Sequence, residues 1–187
     1  MEKIKFIKGF IKNWRQVGSI APSSRFLASK MLEPIDFEKA KVIVELGPGL
    51  GCFTKKVLEQ MSLEAKLLVF EVNPVFCEEI KKIKDSRLVV FNVSALYMAG
   101  FLKDIKADYV ISGIPLSTLT GDSRFLLLKT VKSILREGGI YIQFQYSLGA
   151  YKKLKSLFGQ VVLKFALLNA PPAFVYECKN NSIEDAN

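Results

Sequence analysis

Ile4, Ile7, Ile11 and Trp14 recur at helical spacing near the start of the chain, joined by Phe6, Phe10 and Val17, with Lys8, Lys12 and Arg15 between them. This pattern predicts a basic amphipathic helix. Ala21-Pro-Ser-Ser24 ends it and offers Ser23 or Ser24 as the N-cap of a second helix, which runs to about Leu32 ahead of Pro34. Beyond Pro34 the periodicity changes. Apolar runs at 41–46, 66–71, 87–92 and 107–112 read as strands, and the stretches 51–61, 74–84 and 95–102 between them read as helices. A helix from Gly121 to Arg136 is closed by Glu137-Gly-Gly139, and Ile140 to Tyr146 alternates as a strand. A helix at 148–158 and strands at 160–167 and 173–178 complete the series.

Strands this apolar suit burial on both faces, and their alternation with helices predicts an α/β fold with a seven-stranded, mostly parallel sheet covered on both sides. The last two strands, joined through Leu168-Asn-Ala-Pro-Pro172, are close enough in sequence to form an antiparallel C-terminal hairpin. The chain divides into an N-terminal helical segment (1–34), one domain (35–179) and a polar, aperiodic tail (180–187), predicted to be flexible. A chain of 187 residues buries a substantial core without disulfides or a structural metal.

Charge adds a partner. Six of the nine net positive charges fall within the first 30 residues, where seven basic side chains face Glu2 alone. A basic end suits a polyanion, either nucleic acid or the anionic face of a membrane. The interrupting lysines exclude a signal peptide, and the longest uncharged run, Leu88 to Leu102, is too short for the roughly 20 residues of a spanning helix. Three scattered cysteines suggest neither a disulfide framework nor a metal site, which points to a reducing cytoplasm. Histidine is absent, so any proton transfer falls to carboxylates, Tyr, Lys, Ser or a cofactor.

The densest chemistry lies at Glu45-Leu-Gly-Pro-Gly-Leu-Gly51, where a strand runs through three glycines into a helix. Glycines there let the backbone turn sharply and approach a ligand. Glu71 ends the next strand at the distance expected of a carboxylate that accepts from ribose hydroxyls. A dinucleotide would call for Gly-x-Gly-x-x-Gly; here the spacing is Gly47-x-Gly49-x-Gly51 with an acid just ahead, which disfavours phosphate and suits a sulfonium ligand bearing an ammonium group. S-adenosylmethionine fits better. The bland alternative is a glycine turn with a surface Glu71.

These residues resemble the class I S-adenosylmethionine-dependent methyltransferases, with their Rossmann-like sheet. Two members match further. The ribosomal RNA adenine dimethyltransferases share Glu-Leu-Gly-Pro-Gly-x-Gly-x-Phe/Leu-Thr. The bacterial phospholipid N-methyltransferases are similar over nearly the whole chain: Phe10 to Trp14, Val17-Gly-Ser-Ile-Ala-Pro-Ser-Ser-Arg25-Phe-Leu-Ala28, the glycine loop, Ser112-Gly-Ile-Pro-Leu116, Gln143-Phe-Gln-Tyr146 and Asn169-Ala-Pro-Pro-Ala173. The second resemblance implies successive methylation of phosphatidylethanolamine towards phosphatidylcholine. Adenine N6 enzymes carry Asn or Asp before a Pro-Pro/Leu-Pro-aromatic motif; Ser112 and Leu116 stand in those places here, which loses both grips on adenine and makes a nucleic-acid partner unlikely.

The resemblance assigns the cofactor to Glu45, Gly47, Gly49, Gly51, Glu71, Val72, Asn92, Val93, Ser94 and Ser112. Phe91-Asn-Val-Ser-Ala95 departs from the usual Gly-Asp-Ala, so Asn92 or Ser94 takes the place of the Asp that meets the cofactor's adenine. Catalytic roles are expected of Ser112 and Gly113, whose carbonyls orient the amine, and of Tyr146, with Glu45 or water as alternative proton acceptors. Ser23, Ser24, Arg25, Pro115, Tyr146 and Asn169 are the expected substrate contacts. Ile4, Ile7, Lys8, Phe10, Ile11, Lys12, Trp14 and Arg15 are the expected contacts with an anionic membrane, which would hold the protein peripherally on the inner face of the cell membrane. No metal is expected, and nothing in the sequence sets an oligomeric state.

Overall fold

The computed structural model describes residues 22–169 and 171–181. The amphipathic segment with Ile4, Ile7, Lys8, Phe10, Ile11, Lys12, Trp14 and Arg15 lies outside the described residues, as does the end of the tail. The strands are β1 (Val42–Leu46), β2 (Lys66–Phe70), β3 (Leu88–Phe91), β4 (Ala107–Ser112), β5 (Leu135–Gln145), β6 (Gly159–Ala166) and β7 (Ala173–Asn180). The helices are α1 (Pro22–Leu32), α2 (Cys52–Gln60), α3 (Pro74–Lys81), α4 (Met98–Leu102), α5 (Gly121–Ile134) and α6 (Tyr151–Phe158).

The seven strands form one sheet in the order β3-β2-β1-β4-β5-β7-β6. The first five are mutually parallel, and β7 runs antiparallel to both β5 and β6. This is the predicted α/β sheet with its C-terminal hairpin. Strand order reverses between β1 and β4, so the two chains diverge there and leave a crevice beyond their carboxyl ends.

Each face carries its own core. On one face Met98, Leu102, Leu127, Val131, Leu154 and Phe158 from α4, α5 and α6 pack on Val44, Val110, Tyr141 and Tyr176. On the other, Leu27 and Met31 of α1, Val57 and Leu58 of α2 and Ile80 of α3 pack on Ile43, Leu67, Ile111 and Ile142. Helix α1 is thus part of the core.

Several boundaries differ from the sequence reading. Helix α1 begins at Pro22, a residue suited to the first helical position, so Ser23 and Ser24 lie within its first turn and neither is its N-cap. Helix α5 stops at Ile134 and β5 starts at Leu135, five residues earlier than alternation suggests. There Glu137-Gly-Gly139 forms an irregularity inside the strand: the register slips between Ala107 and Tyr109, and Gly138 takes φ +69°. A Cβ on Gly139 would stand 3.0 Å from the Asp108 carbonyl, so β4 and β5 approach closely only because glycine is there. The predicted helix at 148–158 opens as a 3₁₀ turn and becomes α-helical at Tyr151. Asn180, assigned to the tail, ends β7 and donates through Nδ2 to the Leu135 and Arg136 carbonyls at 3.1 Å. The edge strands β3 and β6 are largely exposed or half-buried, because a strand at a sheet margin has one neighbour.

Candidate active site

The crevice is built from close backbone contacts. Gly47, Gly49 and Gly51 take φ of +64°, +58° and +77°, a left-handed run that glycine adopts without the Cβ penalty. Gly47 donates to the Phe70 carbonyl at 2.9 Å and Gly113 donates to the Leu46 carbonyl at 2.8 Å, tying the ends of β1, β2 and β4 together. A Cβ on Gly113 would lie 2.6 Å from the Gly47 carbonyl oxygen, so the two loops touch backbone to backbone.

Glu45 is fully buried at the mouth of this loop. Its Oε2 accepts from the Thr54 hydroxyl at 2.7 Å, and its Oε1 has no partner among the described residues. Burial pushes its carboxyl up to about 7, Thr54 opposing and Glu71 adding a like charge. An unsatisfied buried carboxylate oxygen is costly unless a ligand pairs it, and an ammonium group is the partner its charge selects. Thr54 escaped the reading of roles, although the shared Gly-x-Phe/Leu-Thr motif contained the signal: three residues past Gly51 places it on the first turn of α2, facing back to β1.

Glu71 is nearly buried. Its Oε1 accepts from the Asn73 amide at 2.8 Å and its Oε2 from the Gly49 amide at 3.4 Å, which aims the carboxylate across the glycine loop. Burial raises its carboxyl above the ordinary value, with those backbone donors opposing. Asn73 also caps α3 through Oδ1, accepting from Val75 at 3.0 Å. Val72, beside Glu71, is 66% exposed. Asn92 donates through Nδ2 to the Glu71 carbonyl at 2.9 Å, bracing the end of β2, while the Ser94 hydroxyl accepts from Leu96 as the cap of a 3₁₀ turn. Val93 lies between them, half-buried. After β3 the polar groups of Asn92 and Ser94 are thus engaged with the backbone. The glycines, Glu45 and Glu71 together fit S-adenosylmethionine: a cradle for its backbone approach, one acid for the ammonium and one for the ribose.

On the acceptor side, Ser112 ends β4 fully buried, with Oγ accepting from the Ile114 amide at 3.2 Å. Pro115 is exposed just beyond, whereas Leu116 is buried in the core and presents no surface on which a base could stack. Tyr146 follows the last residue of β5 and packs edge-on against Phe144 at 5.8 Å; Phe144 in turn meets Phe53 of α2 at 6.4 Å. Neither Phe144 nor Phe53 was given a role from sequence, and both look there like ordinary core residues. Burial raises the Tyr146 phenol, opposed by its hydrogen bond with Asn169. Asn169 is buried and donates to the Pro171 carbonyl at 2.6 Å. The structure therefore joins Tyr146 to Asn169, and Ser112 and Gly113 to the glycine loop. Arg25 is exposed on α1, on the α2 side of the sheet. Among the described residues no cluster suited to a metal ion occurs, and no helix is long and apolar enough to cross a membrane.

A family model of ribosomal RNA adenine dimethylases matches residues 15–122. The ornithine lipid N-methyltransferase of Singulisphaera acidiphila is 28% identical over 93% of this chain and 94% of its own length. Among solved structures, the N-methyltransferase NodS of Bradyrhizobium japonicum superposes with a TM-score of 0.68 at 13% identity, over 87% of this chain and 98% of that one. Its complex with S-adenosylhomocysteine gives 0.63 at 15% identity over 90% and 92%. At such identities the structural likeness is one of fold. With more than half of its length matched by the family model, the chain belongs to the ribosomal RNA adenine dimethylase family and is an S-adenosylmethionine-dependent N-methyltransferase.

Proposed function

We propose that the chain methylates a lipid amine, and that the acceptor is the ethanolamine headgroup of phosphatidylethanolamine and its methylated intermediates, reached at an anionic membrane surface. The observation that carries this reading is the near full-length match to a lipid N-methyltransferase. Buried Leu116 and the Ser112 hydroxyl, where adenine enzymes place an aromatic and an amide or acid, support it.

Bound S-adenosylmethionine supplies an activated methyl, so transfer needs a neutral amine held in line at about 3 Å. Glu45 would hold the cofactor's ammonium and Glu71 its ribose hydroxyls, with Val72, Asn92, Val93 and Ser94 around its adenine. The carbonyls of Ser112 and Gly113 accept from the N–H groups the acceptor nitrogen still carries, two in the unmethylated neutral amine and one after the first transfer. Tyr146, a phenol whose proton is held at neutral pH, accepts from the third N–H of the protonated amine, and that proton leaves to water before transfer. Pro115 and Asn169 flank the headgroup, and Arg25, with Ser23 and Ser24 on the same turn, holds the lipid phosphate. The basic segment 4–15 anchors the protein peripherally on the cytoplasmic face of the membrane.

The test is transfer of labelled methyl from S-adenosylmethionine to phosphatidylethanolamine vesicles or to total RNA. Label in the lipid fraction is expected; label confined to RNA would return the chain to the adenine chemistry for which its family is named.

A further inference from the structure

The segment that follows β4 is held in place from the neighbouring strand. Gln143 stands opposite Ser112 in the β4–β5 register and is fully buried. Its Nε2 donates to the Ile114 carbonyl at 3.1 Å and to the Phe144 carbonyl at 2.7 Å, and its Oε1 accepts from the Tyr141 hydroxyl at 2.6 Å. The Ile114 amide meanwhile donates to Ser112 Oγ. Both backbone polar groups of Ile114 are therefore engaged by side chains, one from β4 and one from β5. The Ile114 and Phe144 carbonyls, which can only accept, decide which way the carboxamide faces, and the Tyr141 hydroxyl, also fully buried, satisfies the amide oxygen that is left.

A buried strand position ordinarily takes an aliphatic residue, and a carboxamide there is tolerated only when its hydrogen bonds are made. Here two of them stay within β5 and fix the carboxamide, and the third reaches across to Ile114 in the segment that follows β4. We propose that Gln143 is a positioning residue for methyl transfer, holding Ser112-Gly-Ile-Pro115 in the conformation that presents its carbonyls to the amine, with Tyr141 bracing Gln143 through its amide oxygen. The inference rests on the reading that Ser112 and Gly113 orient the acceptor. It places the constraint on geometry at the amine and leaves the cofactor's own contacts untouched.

The test compares Gln143→Glu and Tyr141→Phe with the wild type, using labelled S-adenosylmethionine and phosphatidylethanolamine vesicles across a pH series. A protonated carboxyl at 143 has one donor to share between the Ile114 and Phe144 carbonyls and keeps part of the tie, and an ionised one repels both. The ratio of variant to wild-type kcat should therefore fall by about tenfold or more as pH rises. The KM for S-adenosylmethionine should stay within about twofold. Tyr141→Phe should lower kcat several-fold at all pH values, again with little change in that KM. Folded variants that keep wild-type kcat, losses that track cofactor affinity, or failure of both variants to fold would overturn the proposal, the last by making the pair purely structural. If the wild type methylates RNA and not vesicles, the lipid reading fails, and the same ratios on RNA still decide the role of Gln143.

Discussion

Glu45 concentrates the electrostatics of the site in one side chain. Its carboxyl is pushed up to about 7 by burial, so below that pH the cofactor-free protein holds a neutral acid at the place proposed for the cofactor's ammonium. Affinity for S-adenosylmethionine should weaken as pH falls from 8 to 6. Glu45→Gln should remove most of that pH dependence and weaken binding at pH 8 by about tenfold, as titration calorimetry would show. The stability effect has the opposite direction. The folded protein retains a proton that the unfolded chain releases near 4.5, so this group favours folding most below that pH and its contribution is lost as pH rises to about 7. Glu45→Gln should accordingly raise the thermal midpoint of the cofactor-free protein at pH 8, by up to about 3 kcal/mol of stability. Gly113 tests the cradle itself. In Gly113→Ala the new Cβ meets the Gly47 carbonyl at 2.6 Å, a backbone contact that cannot yield without moving the glycine loop. Methyl transfer should fall by about a hundredfold, measured as kcat/KM, and urea unfolding should register a loss of about 1–3 kcal/mol.

At the scale of elements, the helices flanking the site are held by partners distant in sequence. Arg87, just before β3, donates to the Leu58 and Met61 carbonyls at the end of α2 and pairs with Asp85 at 2.6 Å. The guanidinium holds the Asp85 carboxyl down at about 2, so this pairing stabilises the fold above about pH 4 and is lost as pH falls through 2. Arg87→Met should cost about 2 kcal/mol in urea unfolding at pH 7, because it leaves the last carbonyls of α2 without their donors. Helix α1 contributes Met31, fully buried against the sheet. Met31→Ala should cost about 3 kcal/mol by the same measurement, with no change in cofactor affinity once the protein is folded.

Across the whole molecule, the parts legible in the sequence were those specified locally. The glycine loop, the acid ending β2 and the strand–helix alternation each depend on neighbours within a few residues, and the sheet assembled as that pattern predicts. The seam of β5 was not legible, because Leu135 joins the sheet by pairing with Ala107 and alternation within residues 135–139 is masked by the glycines. Asn180 looked like tail, since its hydrogen bonds reach back more than 40 residues to β5. Thr54, Gln143 and Phe144 stand in the shared motifs, but their partners at Glu45, Ile114 and Tyr146 are set by the fold and cannot be read from neighbours in sequence. Exposed Leu148, Leu167 and Leu168 follow the ends of β5 and β6, on the edge that bears the site.

A lipid acceptor gives those exposed leucines beside the site a role. The decisive measurement is to express the chain in a host whose membranes contain phosphatidylethanolamine but no methylated derivatives and to read the lipids by mass spectrometry. Headgroups carrying one, two and three added methyls are expected with the wild type and none with Glu71→Ala. Unmethylated lipids alongside newly methylated adenine in the ribosomal RNA would contradict a lipid acceptor.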